Sequence, residues 1–117
     1  MLFRSIGSPA SRIVVANNGA YELEATVQLT STNASAKDVY VWFKKNGTAI
    51  ANSTRIATFN LNNGYFQTNL HKHVSLNAND YIEVAFASTD TAVTVDNVPA
   101  TAFAPASPAA LLNVSEI

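Results

Sequence analysis

Apolar and polar residues alternate with a period of two along most of this chain, in short segments that end at turn residues. The clearest segment, residues 20–30, places five apolar side chains on one face: Tyr21, Leu23, Ala25, Val27 and Leu29. Successive side chains of a strand point to opposite sides of a sheet. This segment therefore predicts a strand with one face in a core and the other in water.

The remaining segments follow at intervals of roughly eight to twelve residues, which is the spacing of a β-sandwich or barrel. Asn–Gly pairs at Asn46-Gly47 and Asn63-Gly64 separate several of them, because these residues tolerate positive φ. No segment shows helical periodicity. We predict an all-β, antiparallel single domain of about eight strands. The predicted strands are 12–16, 20–30, 38–45, 53–60, 65–76, 81–88, 91–96 and 111–117.

Composition narrows the class of partner. The 117 residues suffice for one domain, and only 13% of them are charged, with a net charge of −1. We therefore expect no nucleic-acid partner, since the chain has no basic field. The chain has no cysteine, which excludes disulfides and thiolate sites. No apolar run resembles a signal peptide or a membrane span, so we expect no membrane partner and assembly in a cytoplasm.

Metal-ligating patterns are sparse. His71 and His73 are the only histidines, and their spacing would put both imidazoles on one side of a strand, where they could share an ion. The sequence offers no third ligand beyond ordinary surface carboxylates, so we expect no metal and no cofactor. A polar outer strand face or a subunit contact explains the pair as well. We predict turn-capping roles, in preference to calcium binding, for Asp80, Asp90 and Asp96.

Catalytic patterns are equally weak. Glu22 and Glu24 lie two residues apart and could do acid–base chemistry, but a solvated strand face accounts for them. No serine stands in a nucleophile elbow, and the chain has no glycine-rich phosphate loop. We therefore expect that the protein is not an enzyme.

Two predicted strands carry aromatic or small residues on the face opposite their core residues. Tyr40 and Trp42 share one such face, and Tyr81 and Ala85 share the other. An aromatic patch that is poor in charge is typical of the centre of a protein interface. We favour self-association, with sugar binding and a second buried face as the alternatives.

Three segments, GAYELEATVQL, VYVWFKKNGTAI and LNANDYIEVAFASTDT, resemble the jelly-roll superfamily of complement globular heads and tumour necrosis factor. They are more similar still to small jelly-roll domains in virion proteins of tailed bacteriophages, which are capsid decoration proteins and fibre tips. The resemblance covers residues 12–117 and rests on turns and alternation. It implies an antiparallel jelly-roll β-sandwich that forms a homotrimer.

The resemblance also implies positions for two contact surfaces. Residues 1–11 would form an N-terminal segment outside the domain, a candidate docking arm in which Met1, Leu2, Phe3 and Arg4 contact the capsid. The strands around the threefold axis would supply the candidate trimer interface, which comprises Tyr40, Trp42, Tyr81, Glu83, Ala85, Leu111 and Asn113.

The function implied by this resemblance is that of a structural protein on the outer surface of the virion capsid. A trimeric decoration, or cement, protein would bind the shell of the major capsid protein and stabilise it. The alternative is a receptor- or glycan-binding tip of a phage fibre, with loops 30–36 and 46–53 as the binding surface. Those loops contain no aromatic residue on which a sugar could stack, and the chain has no repeat that could form a shaft. Both features favour decoration.

Overall fold

The computed structural model describes residues 2–5, 12–60, 62–90, 92–95, 100–105 and 110–117. Within these ranges the chain forms ten strands and no helix. The strands are β1 (Leu2–Ser5), β2 (Ile13–Val14), β3 (Gly19–Ser31), β4 (Lys37–Lys45), β5 (Thr48–Ala49), β6 (Arg55–Phe59), β7 (Tyr65–Leu76), β8 (Tyr81–Ser88), β9 (Val93–Val95) and β10 (Ala110–Glu116). Over the same residues, no helix meets the length and hydropathy needed to cross a membrane.

Six of these strands form one antiparallel sheet, called sheet A. Its two central strands, β8 and β4, pair with each other. Both β1 and β2 pair with the outer edge of β8, one after the other along its length. On the far edge of β4, β5 and β6 are arranged in the same way. Sheet A is therefore about four strands wide along the length of β4 and β8.

The other four strands form sheet B, which is also antiparallel. Its central strand, β3, pairs with β7 in an unbroken ladder from Gly19 opposite Leu76 to Thr30 opposite Tyr65. Its other edge pairs with β10 and then with β9. The prediction of an all-β, antiparallel, two-sheet protein is confirmed. The count is ten strands instead of about eight, because β1 and the two-residue strand β5 were not predicted. The jelly-roll order and the trimer stay predictions.

The core lies between the two sheets, and the alternation predicted its composition. The five apolar residues predicted for the inner face of β3 are all buried, with Leu23, Val27 and Leu29 fully so. Sheet A contributes Val39, Val41, Phe43, Ile82, Val84 and Phe86 from the opposite side. At one edge of the sandwich, Phe59 of sheet A stacks on Phe66 of sheet B with ring centroids 5.2 Å apart. One apolar face on each sheet is thus shielded from water by the other.

The predicted Asn–Gly hairpin is confirmed. Asn46 and Gly47 have φ values of 52° and 84° and form the two-residue loop between β4 and β5, with Lys45 opposite Thr48. Both central residues of this kind of turn need positive φ, which asparagine and glycine adopt most easily. The Asn46 side chain also donates to Asp80 and accepts from the Tyr81 backbone N–H. The turn therefore connects the β4–β5 hairpin to the start of β8.

The N-terminal segment is partly built into the sandwich. Leu2, Phe3 and Arg4 belong to β1 and lie opposite Ser88, Ala87 and Phe86 of β8. This pairing covers the backbone edge of β8, so these three positions are in sheet A and are not a separate arm. The predicted boundary at residue 11 does not separate β1 from the domain. Met1 and residues 6–11 lie outside the described residues.

Candidate functional site

The outward side of sheet A carries the aromatic residues that the sequence pattern singled out. Tyr40 and Trp42 of β4 lie opposite Ala87 and Ala85 of β8, and Tyr81 follows further along β8. All three aromatic side chains are half-buried within the single chain. We call the surface formed by Tyr40, Trp42 and Tyr81 the aromatic face.

Exposed aliphatic residues extend the aromatic face on both edges of sheet A. Ile56 of β6 lies opposite Tyr40 and is 64% exposed, and Val14 of β2 lies opposite Tyr81 and is 58% exposed. The guanidinium of Arg12 lies 4.0 Å above the Tyr81 ring, within cation–π range. This side of the sheet therefore presents apolar surface that the chain itself leaves in contact with water.

The remaining members of the candidate interface behave differently from one another. Glu83 lies on the same side of sheet A, opposite Lys44, and is half-buried. Ala85 is fully buried within the chain, so it supports the aromatic face from beneath and offers a partner no surface of its own. Five of the seven predicted residues thus share one side of sheet A.

Leu111 and Asn113 are on the opposite side of the molecule. Their strand, β10, pairs with β3 in sheet B, where Leu111 lies opposite Thr26 and Asn113 opposite Glu24. Both side chains are exposed on the outward face of that sheet. Leu111 and Asn113 therefore lie on a different face of the chain from the aromatic face. Their membership in one trimer interface with the aromatic face stays a prediction.

A second group of polar residues meets on the outward face of sheet B. The β3–β7 register puts Glu22 opposite His73 and Glu24 opposite His71. His71 Nε2 lies 3.1 Å from Glu22 Oε1, and His73 Nε2 lies 3.6 Å from Glu22 Oε2. We call these four residues the Glu–His cluster. The sequence predicted that the two histidines share one side of a strand and that the two glutamates share one side of another. It did not predict that these two strands pair, so it did not predict that the four side chains meet.

The two carboxylates of the Glu–His cluster influence each other. Hydrogen bonds to Glu24 and then to His71 lower the pKa of Glu22. The hydrogen bond to Glu22 and the charge of that residue raise the pKa of Glu24. The site therefore favours a charged Glu22 beside the two imidazoles.

The two described aspartates of the candidate calcium set cap turns at opposite ends of β8. Asp80 accepts from the Asn77 backbone N–H at 2.8 Å, and Asp90 accepts from the Ala92 backbone N–H at 2.8 Å. Hydrogen bonds lower the pKa of both groups, chiefly from the Asn46 side chain for Asp80 and from the Ala92 backbone for Asp90. Because the strand separates them, these two cannot share one ion. Asp96 lies outside the described residues.

A buried cation was missed by the sequence analysis. Lys37 is only 2% exposed, and its Nζ donates to Ser31 Oγ at 2.6 Å and to the Asn33 backbone oxygen at 2.6 Å. It also donates to Asn33 Oδ1 at 2.9 Å, and the Asn33 amide in turn donates to Asp90. We call these residues the Lys37 network. The sequence contains a signal for this burial. Lys37 lies two residues before Val39 and four before Val41, so its side chain is on the same inward side of the strand.

Neither loop proposed for sugar binding, 30–36 or 46–53, contains an aromatic residue. Residues 46–53 border a depression of about 370 Å³ lined by Lys45, Thr48, Ala49, Ile50, Val74 and Ser75. Sugar sites commonly rely on stacking against an aromatic ring, because the ring's apolar face matches the C–H face of a sugar. The lining of the depression supplies hydroxyl and aliphatic groups and the Lys45 side chain, without an aromatic ring.

No protein-family model matches this chain, and no curated protein is detectably similar to it in sequence. The class of protein is therefore defined by its architecture, which is an all-β sandwich of two antiparallel sheets.

Proposed function

We propose that this chain is a trimeric virion structural protein of a tailed phage, of the jelly-roll type, and that it acts in capsid decoration. The observation that carries the proposal is the aromatic face. A half-buried tryptophan flanked by two tyrosines and by exposed Ile56 and Val14 resembles the centre of a protein interface. Tryptophan and tyrosine are the residues most enriched where interface energy concentrates.

The strand order supports the jelly-roll assignment. Neighbouring strands within each sheet come from distant parts of the chain, with β8 beside β4 and β10 beside β3. This interleaving is typical of Greek-key sandwiches, the group to which jelly rolls belong. The local resemblance of residues 19–29, 39–50 and 76–91 to phage virion domains points the same way.

The mechanism requires no chemistry from the protein. A trimer that binds the assembled shell, and not free capsid subunits, stabilises the shell by RT ln(1 + [L]/Kd) per site. Three linked contacts raise the effective affinity further, because the second and third contacts form within one complex. In this arrangement the aromatic face is covered by neighbouring copies, and other surfaces of the sandwich contact the major capsid protein.

The proposal predicts where the protein lies on a virion. Gold-labelled antibodies raised against this chain are expected to decorate the whole capsid surface of the phage that encodes it, as seen by electron microscopy. Labelling confined to tail or head fibres would overturn decoration in favour of a fibre tip. Labelling nowhere on intact virions would overturn both, provided that the antibody binds the purified chain under the same conditions.

The aromatic face predicts the effect of a charged substitution on self-association. In Trp42→Glu, a carboxylate would be desolvated in the interface, so we expect a monomer where the unaltered chain is a trimer. Sedimentation at matched concentrations measures this. Leu111→Glu is the matched control, since it introduces the same carboxylate on the outward face of sheet B and should leave the trimer intact. Loss of the trimer in Leu111→Glu alone would assign the interface to sheet B and contradict the proposal.

A further inference from the structure

The Glu–His cluster has the composition of a metal site. Glu22, His71 and His73 each offer one ligand atom, and these atoms all lie within 4.8 Å of one another. Two imidazole nitrogens and one carboxylate oxygen form a ligand set that Zn²⁺ uses in proteins, with a fourth position left open. The three side chains project from neighbouring strands toward the same side of sheet B.

The spacing within the cluster is close to what such an ion needs. Zinc bonds of about 2.0–2.2 Å in tetrahedral geometry place neighbouring ligand atoms about 3.4 Å apart. His71 Nε2 lies 3.1 Å from Glu22 Oε1, and His73 Nε2 lies 3.6 Å from the other carboxylate oxygen, Oε2. Small rotations of exposed side chains are enough to adjust these distances, because the imidazoles are 52% and 59% exposed.

We propose that Glu22, His71 and His73 bind one Zn²⁺ ion per chain on the outward face of sheet B, with water as the fourth ligand. The Glu22 carboxylate lies between the two imidazoles and contacts both. The site lies on the side of the sandwich opposite the aromatic face, so it uses none of the residues that carry the proposed function.

The backbone holds the three ligands in a fixed arrangement. They lie within the β3–β7 ladder, the longest in the described part of the molecule, with Glu22 directly opposite His73. Glu24 places a second carboxylate 4.0 Å from His71 Nε2. Two neighbouring carboxylates repel each other, and a divalent cation offsets that repulsion. A depression of about 360 Å³ lies beside His71 and Glu24, and Arg55 and Asn69 also line it.

Titration calorimetry of the full chain with zinc chloride tests the proposal. We expect one zinc per chain, and we expect His71→Ala, His73→Ala and Glu22→Gln each to weaken binding by more than about tenfold. Ser75→Ala, the next outward position on the same strand, is the matched control and should bind zinc as the unaltered chain does. Circular dichroism of each variant checks that the sheets remain folded.

Two results would contradict the proposal. Unchanged affinity in any one of the three ligand variants would remove that residue from the site and overturn the three-ligand proposal. One zinc per two chains would show that the ion is shared between copies, which also contradicts it. Cobalt provides a second readout, because tetrahedral Co²⁺ absorbs strongly in the visible range. That absorption is expected with the unaltered chain and should be absent in His73→Ala.

Discussion

Replacing Phe43 with alanine is expected to lower the free energy of unfolding by about 3–5 kcal/mol, because a large buried ring is lost and a cavity remains. Phe43 is fully buried on the inward side of β4, opposite Val84 of β8. Both of its backbone polar groups are bonded to the segment after β5, since its N–H donates to Ser53 Oγ and its carbonyl accepts from the Ile50 N–H. The surroundings therefore have little freedom to collapse into the cavity.

Urea unfolding at one fixed protein concentration measures this loss, because self-association would otherwise change the apparent stability. Phe103→Ala is the matched control, since the same atoms are removed from a ring that is 98% exposed. A domain of this size is stable by only about 5–15 kcal/mol, so Phe43→Leu, with a smaller expected loss, provides a variant that stays folded. Equal midpoints for Phe43→Ala and Phe103→Ala would contradict the central position of Phe43.

The parts of the fold that depend on neighbouring residues were predictable from the sequence. Alternation along β3 identified its buried side chains, because the strand period is a local property of the backbone. The Asn46-Gly47 turn was predictable for the same reason, since it depends on the φ preferences of two residues. The fold class follows from these local signals, because regularly spaced strands with polar turns pack as two sheets.

The parts that depend on strand pairing were not predictable in the same way. Nothing in the residues of β10 determines whether it joins β3 or β8, so the sequence did not predict that Leu111 and Asn113 lie on the outward face of sheet B. The Glu–His cluster arises from the register between β3 and β7, in which Glu22 meets His73. A shift of one residue would have turned one of these side chains into the core. Contacts between strands distant in sequence therefore set both candidate surfaces.

The Lys37 network is unusual because it buries a charge without an acid in direct contact with it. No carboxylate among the described residues lies within ion-pair distance of Lys37 Nζ, and its three oxygen partners come from Ser31 and Asn33. The nearest negative group of the network is Asp90, which accepts from the Asn33 amide at 3.1 Å. The charge of Lys37 contributes to lowering the pKa of Asp90. The ammonium thus links Asn33, in the loop after β3, to Ser31 at the end of that strand.

Lys37→Met is expected to lower the free energy of unfolding by about 1–3 kcal/mol. Methionine keeps the aliphatic length but cannot donate, so buried Ser31 Oγ and the two oxygens of half-buried Asn33 lose a charged donor. The opposing effect is relief from desolvating an ammonium, which favours an apolar residue. We expect the loss to dominate, because only one side of the network is replaced and its acceptors remain in place.

Urea unfolding compares the free energies of unfolding of Lys37→Met and Lys72→Met. Both substitutions remove one ammonium, but Lys72 lies half-buried on the edge strand β7. Amide hydrogen exchange of residues 31–36 gives a second measure, and it should accelerate in Lys37→Met while exchange in β7 stays unchanged. If Lys37→Met were as stable as the unaltered chain, desolvation of the ammonium would cost as much as its three hydrogen bonds contribute. The loop would then be held by the hydrogen bonds among Ser31, Asn33, Ser35 and Asp90, and slow exchange at residues 31–36 should persist until Asp90→Asn is added.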